Sequence, residues 1–447
     1  MAQIKIDLSK KGGIVKPMNA VNNGPAGSVV RGTSNMEYFR AAGIPYARNH
    51  DAAFSGYYGG EYSVDVHRIF PDFDADENDP ASYLFGPTDA YVRSTHDAGT
   101  EMFYRLGAAI EHGYKKGTYP PKDFAKWARI AEHIIRHYTE GWADGMHERI
   151  TYWEIWNEPD TRNADGSKPC WQGTEEQFVD FYCVVAKHLK QCFPHLKIGG
   201  PAFCSVWASE KFIRKFLAGV KETGAALDFF SYHCYGNTPK NLAETIDKAN
   251  GILADCGVKT ETNLNEWNYI KGWMNDEWRY SLRMEKGLKG ASFTLGCMCA
   301  GQVKDLDMLT YYDARPCGMN GMFDTDTLRP LKGYYPFLAF RELRDLGTAL
   351  WQDAYAVDGI YYTAATNGTD SAAVFTHYDD SDDDTAAPRD VEITFQNNKG
   401  KVRVDVYVLD EAHDLVKTRS EVFTGEEFSL FTTMPLYTSL LVKVTAI

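Results

Sequence analysis

Short apolar segments alternate with longer helical patterns through the first three quarters of the chain. Between the apolar segments lie amphipathic stretches, such as residues 124–138 with Phe124, Trp127, Ile130 and Ile134 on one helical face. Strand and helix repeat about seven or eight times, an order that predicts a parallel sheet. The predicted strands cover residues 44–50, 100–106, 152–156, 197–200, 229–233, 260–265 and 308–312.

The residues along and after these strands distinguish a closed parallel barrel from an open parallel sheet. The strands are continuously apolar and are followed by polar residues, which favours a closed (β/α)8 TIM barrel over an open doubly wound sheet. No glycine-rich GxGxxG follows any strand, so the usual reason to prefer a dinucleotide-binding fold is missing. We therefore expect an α/β barrel whose functional residues lie at the carboxyl ends of the strands.

The pattern changes near Gly347. Short alternating runs follow, among them GIYYTAAT, SAAVFTHY and KVRVDVYVLD, and Asn367-Gly368 between two of them is a strong hairpin signal. We predict a catalytic barrel over 15–347 and an antiparallel β-sandwich over 348–447, to which the N-terminal segment 1–14 adds a strand. The acidic loop 379–384 (DDSDDD) is interpreted as a solvated turn.

Composition limits the class of partner. The net charge of −14 argues against nucleic-acid phosphates or anionic lipid. The aromatic fraction of 14% indicates a large core or stacking faces for sugar rings. No apolar run suits a membrane span or a secretory signal, and the nine cysteines lack CxxC spacing. We expect a cytoplasmic protein with reduced thiols and no metal site.

Two glutamates stand where two predicted strands end. In TYWEIWNEPD (151–160), Pro159 cannot donate to a sheet ladder, so the strand should end near Glu158. Glu266, in NLNEWNY, ends another strand three strands later. Residues at the carboxyl ends of barrel strands share one mouth, and two carboxylates across a sugar are what glycosidic bond cleavage needs. Glu154 and Glu261 lie deeper and are interpreted as buried, hydrogen-bonded barrel carboxylates, an alternative that also applies to the first pair.

These motifs resemble a known family. WEIWNEPD is similar to the acid/base motif of clan A glycoside hydrolases, and the whole arrangement most resembles glycoside hydrolase family 39, best known for β-xylosidases and α-L-iduronidases. The resemblance covers most of the chain and includes RNH (48–50), SYHCY (231–235) and NEWN (265–268) at strand ends. Asn265 is a departure, because the family often has a small hydroxyl residue before the nucleophile. A second departure is the long acidic loop FPDFDADENDP.

The resemblance implies a retaining β-xylosidase-like hydrolase with two catalytic glutamates. Glu158 would be the acid/base, with a pKa raised by an apolar site or by the charge of Glu266, and Glu266 the nucleophile about 5 Å away. No metal ion or organic cofactor is needed. Asn157 is expected to bind the sugar 2-hydroxyl. Further substrate-binding candidates are Arg48, His50, His233, Tyr235, Trp267, Trp273 and Tyr312. Core packing is an alternative for the last three, and a buried ion pair or a core histidine is the alternative for Arg48 and His50.

The expected substrate is a short oligosaccharide or a glycoside. Loop 51–80, with Tyr57, Tyr58, Phe70 and Phe73, is long enough to wall off the non-reducing end and make the enzyme exo-acting, unless it only covers the outer helices. An arabinose- or uronide-directed glycosidase of the same family is an alternative. A catalytically silent carbohydrate-binding protein is an alternative of another class. The sugar and the number of subunits are open at this point.

Overall fold

The computed structural model describes residues 1–28, 32–51, 64–108, 117–381 and 386–447. Its strands are β1 (Ala2–Asp7), β2 (Lys11–Ile14), β3 (Ala20–Asn22), β4 (Gly27–Ser28), β5 (Thr33–Ser34), β6 (Tyr46–Asn49), β7 (Glu101–Leu106), β8 (Tyr152–Ile155), β9 (Lys197–Phe203), β10 (Phe229–Gly236), β11 (Glu261–Tyr269), β12 (Met308–Tyr311), β13 (Thr348–Leu350), β14 (Ala356–Val357), β15 (Ile360–Thr366), β16 (Ser371–His377), β17 (Arg389–Gln396), β18 (Val402–Leu409), β19 (Asp414–Phe423), β20 (Glu427–Met434) and β21 (Ser439–Ala446). Its α-helices are α1 (Met36–Ala42), α2 (Val66–Ile69), α3 (Gly86–Asp97), α4 (Phe124–Glu140), α5 (Glu175–Cys192), α6 (Glu210–Thr223), α7 (Pro239–Asp255), α8 (Asn275–Met284), α9 (Leu288–Val303) and α10 (Tyr335–Leu346).

Eight parallel strands close into a barrel in the order β3, β6, β7, β8, β9, β10, β11, β12. The predicted TIM barrel is therefore confirmed, and seven of its strands fall on the predicted segments. The first, β3, is only three residues long and was not predicted from the sequence. The amino-terminal end of the barrel interior is filled by an apolar layer, so polar side chains gather toward the opposite, carboxyl end. That layer consists of Ala20, Phe103, Tyr152, Phe229 and Met308.

Capping residues set the ends of the helices around the barrel. Helix α4 starts at Asp123, whose side chain accepts a hydrogen bond from the Lys126 amide, and stops at Gly141 in the left-handed region. The capping box predicted before α5 is present, with Thr174 and Gln177 bonded reciprocally. Both helices bury an apolar face and pack on each other in the layer outside the strands.

The C-terminal region is the predicted β-sandwich. One sheet has the order β1-β17-β20, and the other has the order β2-β13-β15-β16-β21-β18-β19. Side chains from both sheets meet in a separate apolar core that includes Ile4, Phe375, Ile393 and Val442. The N-terminal segment contributes β1, which runs parallel to β17, and β2, which pairs with β13. The domain boundaries at 14/15 and 347/348 remain a prediction.

The sandwich packs firmly on the barrel through helix α9. This helix is buried on all sides from Lys289 to Gly301 and lies between α7 of the barrel layer and strands β15 and β16. Such a helix is stable only when it is covered all round. The two domains therefore share one continuous buried region, which holds the sandwich in a fixed place beside the barrel mouth.

One residue of the acidic loop 379–384 reaches the barrel. The Asp380 carboxylate lies 2.7 Å from the Lys289 ammonium and accepts hydrogen bonds from the Tyr269 hydroxyl (2.8 Å) and the Asn237 amide (2.5 Å). The interpretation as a solvated turn is thus wrong for Asp380, while residues 382–385 lie outside the described part. Because Tyr269 ends β11 and Asn237 follows β10, the sandwich restrains the ends of two barrel strands.

Two further sequence expectations concern cysteines and membranes. All nine cysteines, which all lie in the described ranges, are free thiols, as predicted. In the described part of the chain, each helix is too short or too polar to cross a bilayer.

Candidate active site

Glu158 and Glu266 meet in the barrel mouth. One carboxylate oxygen of each lies within 4.8 Å of the other and of His233 Nδ1. Both side chains are largely buried. Glu158 follows the end of β8, whereas Glu266 lies inside β11, three residues before the strand ends. The structure therefore brings together the two remote carboxylates that the sequence singled out.

Left-handed backbone at the end of β8 turns Glu158 into the mouth. Trp156 has φ 80° and Glu158 has φ 48°, a region that non-glycine residues rarely adopt. The Trp156 indole points outward, packs on Trp171 and donates to the Cys170 carbonyl at 2.9 Å. The Glu158 amide donates to the Ala202 carbonyl of β9 at 2.9 Å. The tryptophan of the motif thus anchors the turn from outside, and this frees Asn157 and Glu158 to face the mouth.

A β-bulge in β11 does the same for Glu266. Tyr232 of β10 pairs with Leu264, but His233 pairs with Glu266, so Asn265 is an extra residue in β11. Strict alternation would send either Asn265 or Glu266 out of the barrel. With the bulge both point inward, and the Asn265 amide donates to the Glu154 carboxylate at 2.6 Å. The departure from the family's small hydroxyl residue therefore has a structural role here.

Arg48 binds the residues beneath the mouth into one network. Its guanidinium donates to Glu154 (2.7 Å), to Glu266 (2.8 Å), to Asn157 Oδ1 (2.7 Å) and to Asn22 Oδ1 (3.0 Å). The side chain is fully buried. Two carboxylates compensate its charge, and four donated hydrogen bonds satisfy most of its N–H groups. Arg48 thus holds Glu266 and Asn157 and is itself covered by the side chains that it orients.

Glu154 and Glu261 have different environments. Glu154 is fully buried and accepts hydrogen bonds from the Ser231 hydroxyl (2.6 Å) and from Arg48, so the interpretation as a buried, satisfied carboxylate is confirmed. For Glu261 that interpretation is wrong. Its side chain is 33% exposed at the amino-terminal end of the barrel, where it contacts Lys197 and the Tyr152 hydroxyl. Neither carboxylate lies in the mouth.

Three predicted contact residues surround the two glutamates. The Tyr235 hydroxyl donates to Glu266 Oε2 at 2.9 Å. His233 Nδ1 lies 2.8 Å from Glu158 Oε1 and 3.5 Å from Glu266 Oε2, so its main partner is Glu158. His50 Nδ1 lies 3.6 Å from Glu266 Oε1, but burial and the charge of Arg48 lower the pKa of His50 well below its usual value. His50 is therefore neutral, and its contact with Glu266 is not an ion pair.

The pKa values of Glu158, Glu266 and His233 are shifted by burial and by one another. Burial raises the pKa of Glu158, but the hydrogen bond and charge of His233 outweigh burial and hold this pKa below its usual value. Burial and the charge of Glu158 hold the pKa of Glu266 above its usual value against the effects of His233 and Arg48. Burial lowers the pKa of His233, but the two carboxylates raise it by more, so that the net shift is upward. The expectation that the pKa of Glu158 is raised is wrong, because the hydrogen bond and charge of His233 outweigh burial.

The predicted aromatic contacts divide into two groups. The Trp267 ring is fully buried outside the barrel interior, packed on Phe293 and Tyr311, so a substrate cannot reach it and that prediction is wrong. Alternation along β11 explains this, since the neighbouring Glu266 points inward. Trp273 is 56% exposed beside Tyr235, and the edge of the Tyr312 ring meets His50. Both of these rings lie at the mouth.

A polar wall that the sequence reasoning missed closes one side of the mouth. Asp51 Oδ2 accepts a hydrogen bond from the Tyr312 hydroxyl at 3.2 Å and lies 3.0 Å from Arg315 Nη1. Arg315 also faces Asp313, which accepts from the Asn23 amide at 2.8 Å. Asp51 directly follows the RNH motif, and this position at a strand end could have identified it as a residue of the mouth. The wall thus joins the loops that follow β6 and β12.

Loop 51–80 is described only in part. Its Phe70 ring lies 4.8 Å from the Tyr83 ring, and Phe73 lies beneath the Lys126 ammonium of α4. These two phenylalanines therefore pack on the outer layer, and for them the expectation of a sugar-facing wall is wrong. Tyr57 and Tyr58 lie outside the described residues.

The three groups Glu158, His233 and Glu266 are close enough to be considered as metal ligands. Their surroundings do not suit a cation. The Arg48 guanidinium lies 2.8 Å from Glu266 Oε1, and the Tyr235 hydroxyl occupies Oε2. A metal ion here would lie beside a fixed positive charge and would have to displace both donors. The arrangement suits proton transfer and nucleophilic attack better than metal binding.

Comparison with known proteins agrees with this geometry. The sequence profile of glycosyl hydrolases family 39 matches residues 66–266. A β-xylosidase of Geobacillus stearothermophilus is 34% identical over 124 residues, which are 27% of this chain and 23% of that protein. The aligned part is therefore less than a quarter of the length of that relative.

Solved structures share the whole fold. A glucosidase from Croceicoccus marinus superposes with a TM-score of 0.81 at 20% identity, covering 100% of this chain and 99% of its own. A monomeric β-xylosidase from Caulobacter crescentus superposes with a TM-score of 0.72 at 15% identity, covering 100% of both chains. The profile match includes both glutamates, so this chain is similar to glycosyl hydrolases family 39 over residues 66–266.

Proposed function

We propose that this protein is a retaining, exo-acting glycoside hydrolase of short oligosaccharides or glycosides, with β-xylosides as the first substrate class. One observation carries the proposal: two buried glutamate carboxylates approach within 4.8 Å in the mouth of a barrel. Retaining enzymes need this short separation, whereas inverting enzymes need a wider gap for a water molecule. A silent binding protein would have no use for the donors that hold both groups in place.

The first step is a displacement at the anomeric carbon. A Glu266 oxygen attacks that carbon, and the bond from the carbon to the leaving oxygen breaks. Arg48 and Tyr235 keep Glu266 oriented and disperse its charge. Glu158 gives a proton to the leaving oxygen, and His233, 2.8 Å away, supplies that proton to Glu158.

The second step returns the enzyme to its starting state. Glu158, now anionic, removes a proton from water and passes it back to His233, while the water oxygen attacks the anomeric carbon and displaces Glu266. Two inversions give net retention. Asn157 Nδ2 is buried and has no hydrogen-bond partner among the described residues, so it can donate to the sugar 2-hydroxyl. Arg48 holds the other end of this amide at 2.7 Å.

The charges of the mouth favour a neutral sugar over a uronate. Arg48 is compensated by Glu154 and Glu266, and Arg315 lies between Asp51 and Asp313. Neither arginine is placed to receive a third carboxylate without losing one of its own. The β-xylosidases among the similar proteins support xylose as the neutral sugar. Arabinosides are the runner-up, since one similar structure is an arabinofuranosidase.

Exo action rests on the polar wall. Asp51 binds both Tyr312 and Arg315 across one side of the mouth, opposite the strands β9 and β10. A chain of sugars cannot continue through such a wall. We expect early products from xylotriose and from xylan to be the monosaccharide with a chain shortened by one unit, as measured by chromatography. A ladder of intermediate oligosaccharides early in the reaction would show an open cleft.

Glu266 is predicted to carry the covalent intermediate. A 2-deoxy-2-fluoro glycoside with an activated leaving group should inactivate the enzyme, and peptide mass spectrometry should place the sugar on Glu266. Glu266→Ala should lower kcat by many orders of magnitude because no nucleophile remains. The control variant Glu261→Gln is changed on the same strand but at the other end of the barrel, and it should still be labelled on Glu266. A label on any other residue would refute the assignment.

Glu158 is predicted to be the acid and base. Glu158→Ala should lower kcat/KM about 10²–10⁴-fold on substrates with poor leaving groups, because the leaving oxygen is no longer protonated. Aryl glycosides with acidic phenols should lose far less. Added azide should accelerate the second step and give a glycosyl azide of retained configuration, identified by NMR. Equal losses on both substrate types with no azide product would require another acid.

The pH profile is predicted to report the shared proton. Activity needs Glu266 to be ionised. Because the pKa of Glu266 is raised, the acid limb of the kcat/KM profile should lie at a pH above the usual glutamate range. Activity also needs the proton held by His233, whose pKa is raised, so the basic limb should lie above the usual histidine range. His233→Asn should move the basic limb to lower pH, because a carboxyl then holds the proton. His413→Asn in the sandwich is the control and should move neither limb.

A further inference from the structure

A groove of about 570 Å³ opens beside the two glutamates. His233 and Tyr235, which bond to Glu158 and Glu266, lie at its inner end. Trp207, from the loop after β9, and Trp273, from the loop after β11, line it further out. The groove is therefore continuous with the catalytic site and falls in the usual size range of small-molecule sites.

Trp207 is an exposed ring that is nevertheless held in place. It is 57% exposed. Its indole N–H donates to the Thr245 hydroxyl of α7 at 3.1 Å, and the Lys248 ammonium lies 5.6 Å from the ring centroid. An exposed indole that is held in one orientation offers a flat apolar face on which another ring can stack. Trp207 was not predicted from the sequence.

Trp273 is held in a comparable way on the opposite loop. It is 56% exposed, stacks on Trp278 with centroids 5.5 Å apart, and meets the Tyr235 ring edge-on at 5.0 Å. Tyr235 in turn donates to Glu266. Only the Tyr235 ring therefore lies between Trp273 and the predicted nucleophile. Neither Trp207 nor Trp273 belongs to the polar wall.

The groove lies on the side of the acid. His233 and Cys204 line the groove, and His233 Nδ1 lies 2.8 Å from Glu158 Oε1. A leaving group departs on the side from which its oxygen is protonated. The wall of Asp51, Tyr312 and Arg315 closes the other side, where the sugar that becomes covalently bound has to lie.

From this geometry we propose that the groove is the leaving-group subsite, and that Trp207 and Trp273 receive a second sugar ring. The inference rests on the proposed function and narrows its substrate class: the leaving group is a carbohydrate, so the substrate is an oligosaccharide and not a simple glycoside. The C–H face of a pyranose matches an indole face. Hydroxyl groups find polar partners along the same groove, which is also lined by Ser205, Asn237, Asn241, Glu244 and Lys271.

The test compares two leaving groups on one glycosyl unit. A glycosyl fluoride releases an ion that leaves the groove empty, whereas the disaccharide of the same sugar fills it. Trp207→Ala and Trp273→Ala should each lower kcat/KM on the disaccharide, mainly through KM, about ten-fold more than on the fluoride. Hydrolysis of the fluoride also shows that each variant is folded. Trp351→Ala is the control, since Trp351 is an exposed ring of the sandwich beneath the Lys10 ammonium.

A second measurement does not depend on the leaving group. The 2-fluoroglycosyl enzyme should be reactivated faster when free disaccharide is added as an acceptor, and both tryptophan variants should lose this acceleration while they keep reactivation by water. Equal losses on fluoride and disaccharide, or no loss on either, would overturn the subsite. A loss confined to aryl glycosides would overturn the carbohydrate leaving group in favour of an aromatic one. A wild-type protein inactive on every glycosyl fluoride would overturn the proposed function itself, and this inference with it.

Discussion

The buried guanidinium of Arg48 is the interaction on which the site depends. It joins side chains from the first, second, fourth and seventh barrel strands through Asn22, Arg48 itself, Asn157 and Glu266. A charge buried this deeply is tolerated only when it is paired and fully hydrogen-bonded. The barrel meets that requirement with Glu154 and Glu266, so the same bonds that stabilise Arg48 also fix the orientation of the predicted nucleophile. Loss of either carboxylate would leave a buried positive charge with one partner.

Two local irregularities make this arrangement possible. An uninterrupted β11 could not present both Asn265 and Glu266 to the barrel interior, and the bulge removes that conflict. At the end of β8, positive φ angles at Trp156 and Glu158 separate an outward indole from an inward carboxylate. Both features cost conformational energy, and both occur where a catalytic group has to leave the regular pattern. The stretch WNEP therefore ends its strand abruptly because the chain turns into the mouth there.

Much of the barrel could be predicted, because its strands and helices are specified by local patterns. The strand β3 could not, since a run of three residues carries no periodicity. The outward direction of Trp267 was available from alternation, once Glu266 was taken as inward. The pKa of Glu158 depends on His233, which approaches from another strand, and strand-end motifs do not give that distance. Asp380 was missed for a similar reason, because its partners Lys289 and Tyr269 are remote in sequence.

The sandwich contributes to the site through those remote contacts. Its Asp380 binds Tyr269 at the end of β11 and Asn237 just after β10, and the Tyr378 hydroxyl donates to the Asn237 carbonyl. The same strand ends carry Tyr235, Glu266 and the groove beside Trp273. An antiparallel sandwich is rigid and can restrain loops that a barrel alone leaves mobile. The wall on the opposite side needs no such support, because Asp51 and Arg315 bond across the barrel's own strands. The two sides of the mouth are therefore held by different means, the closed side by the barrel and the open side by the second domain.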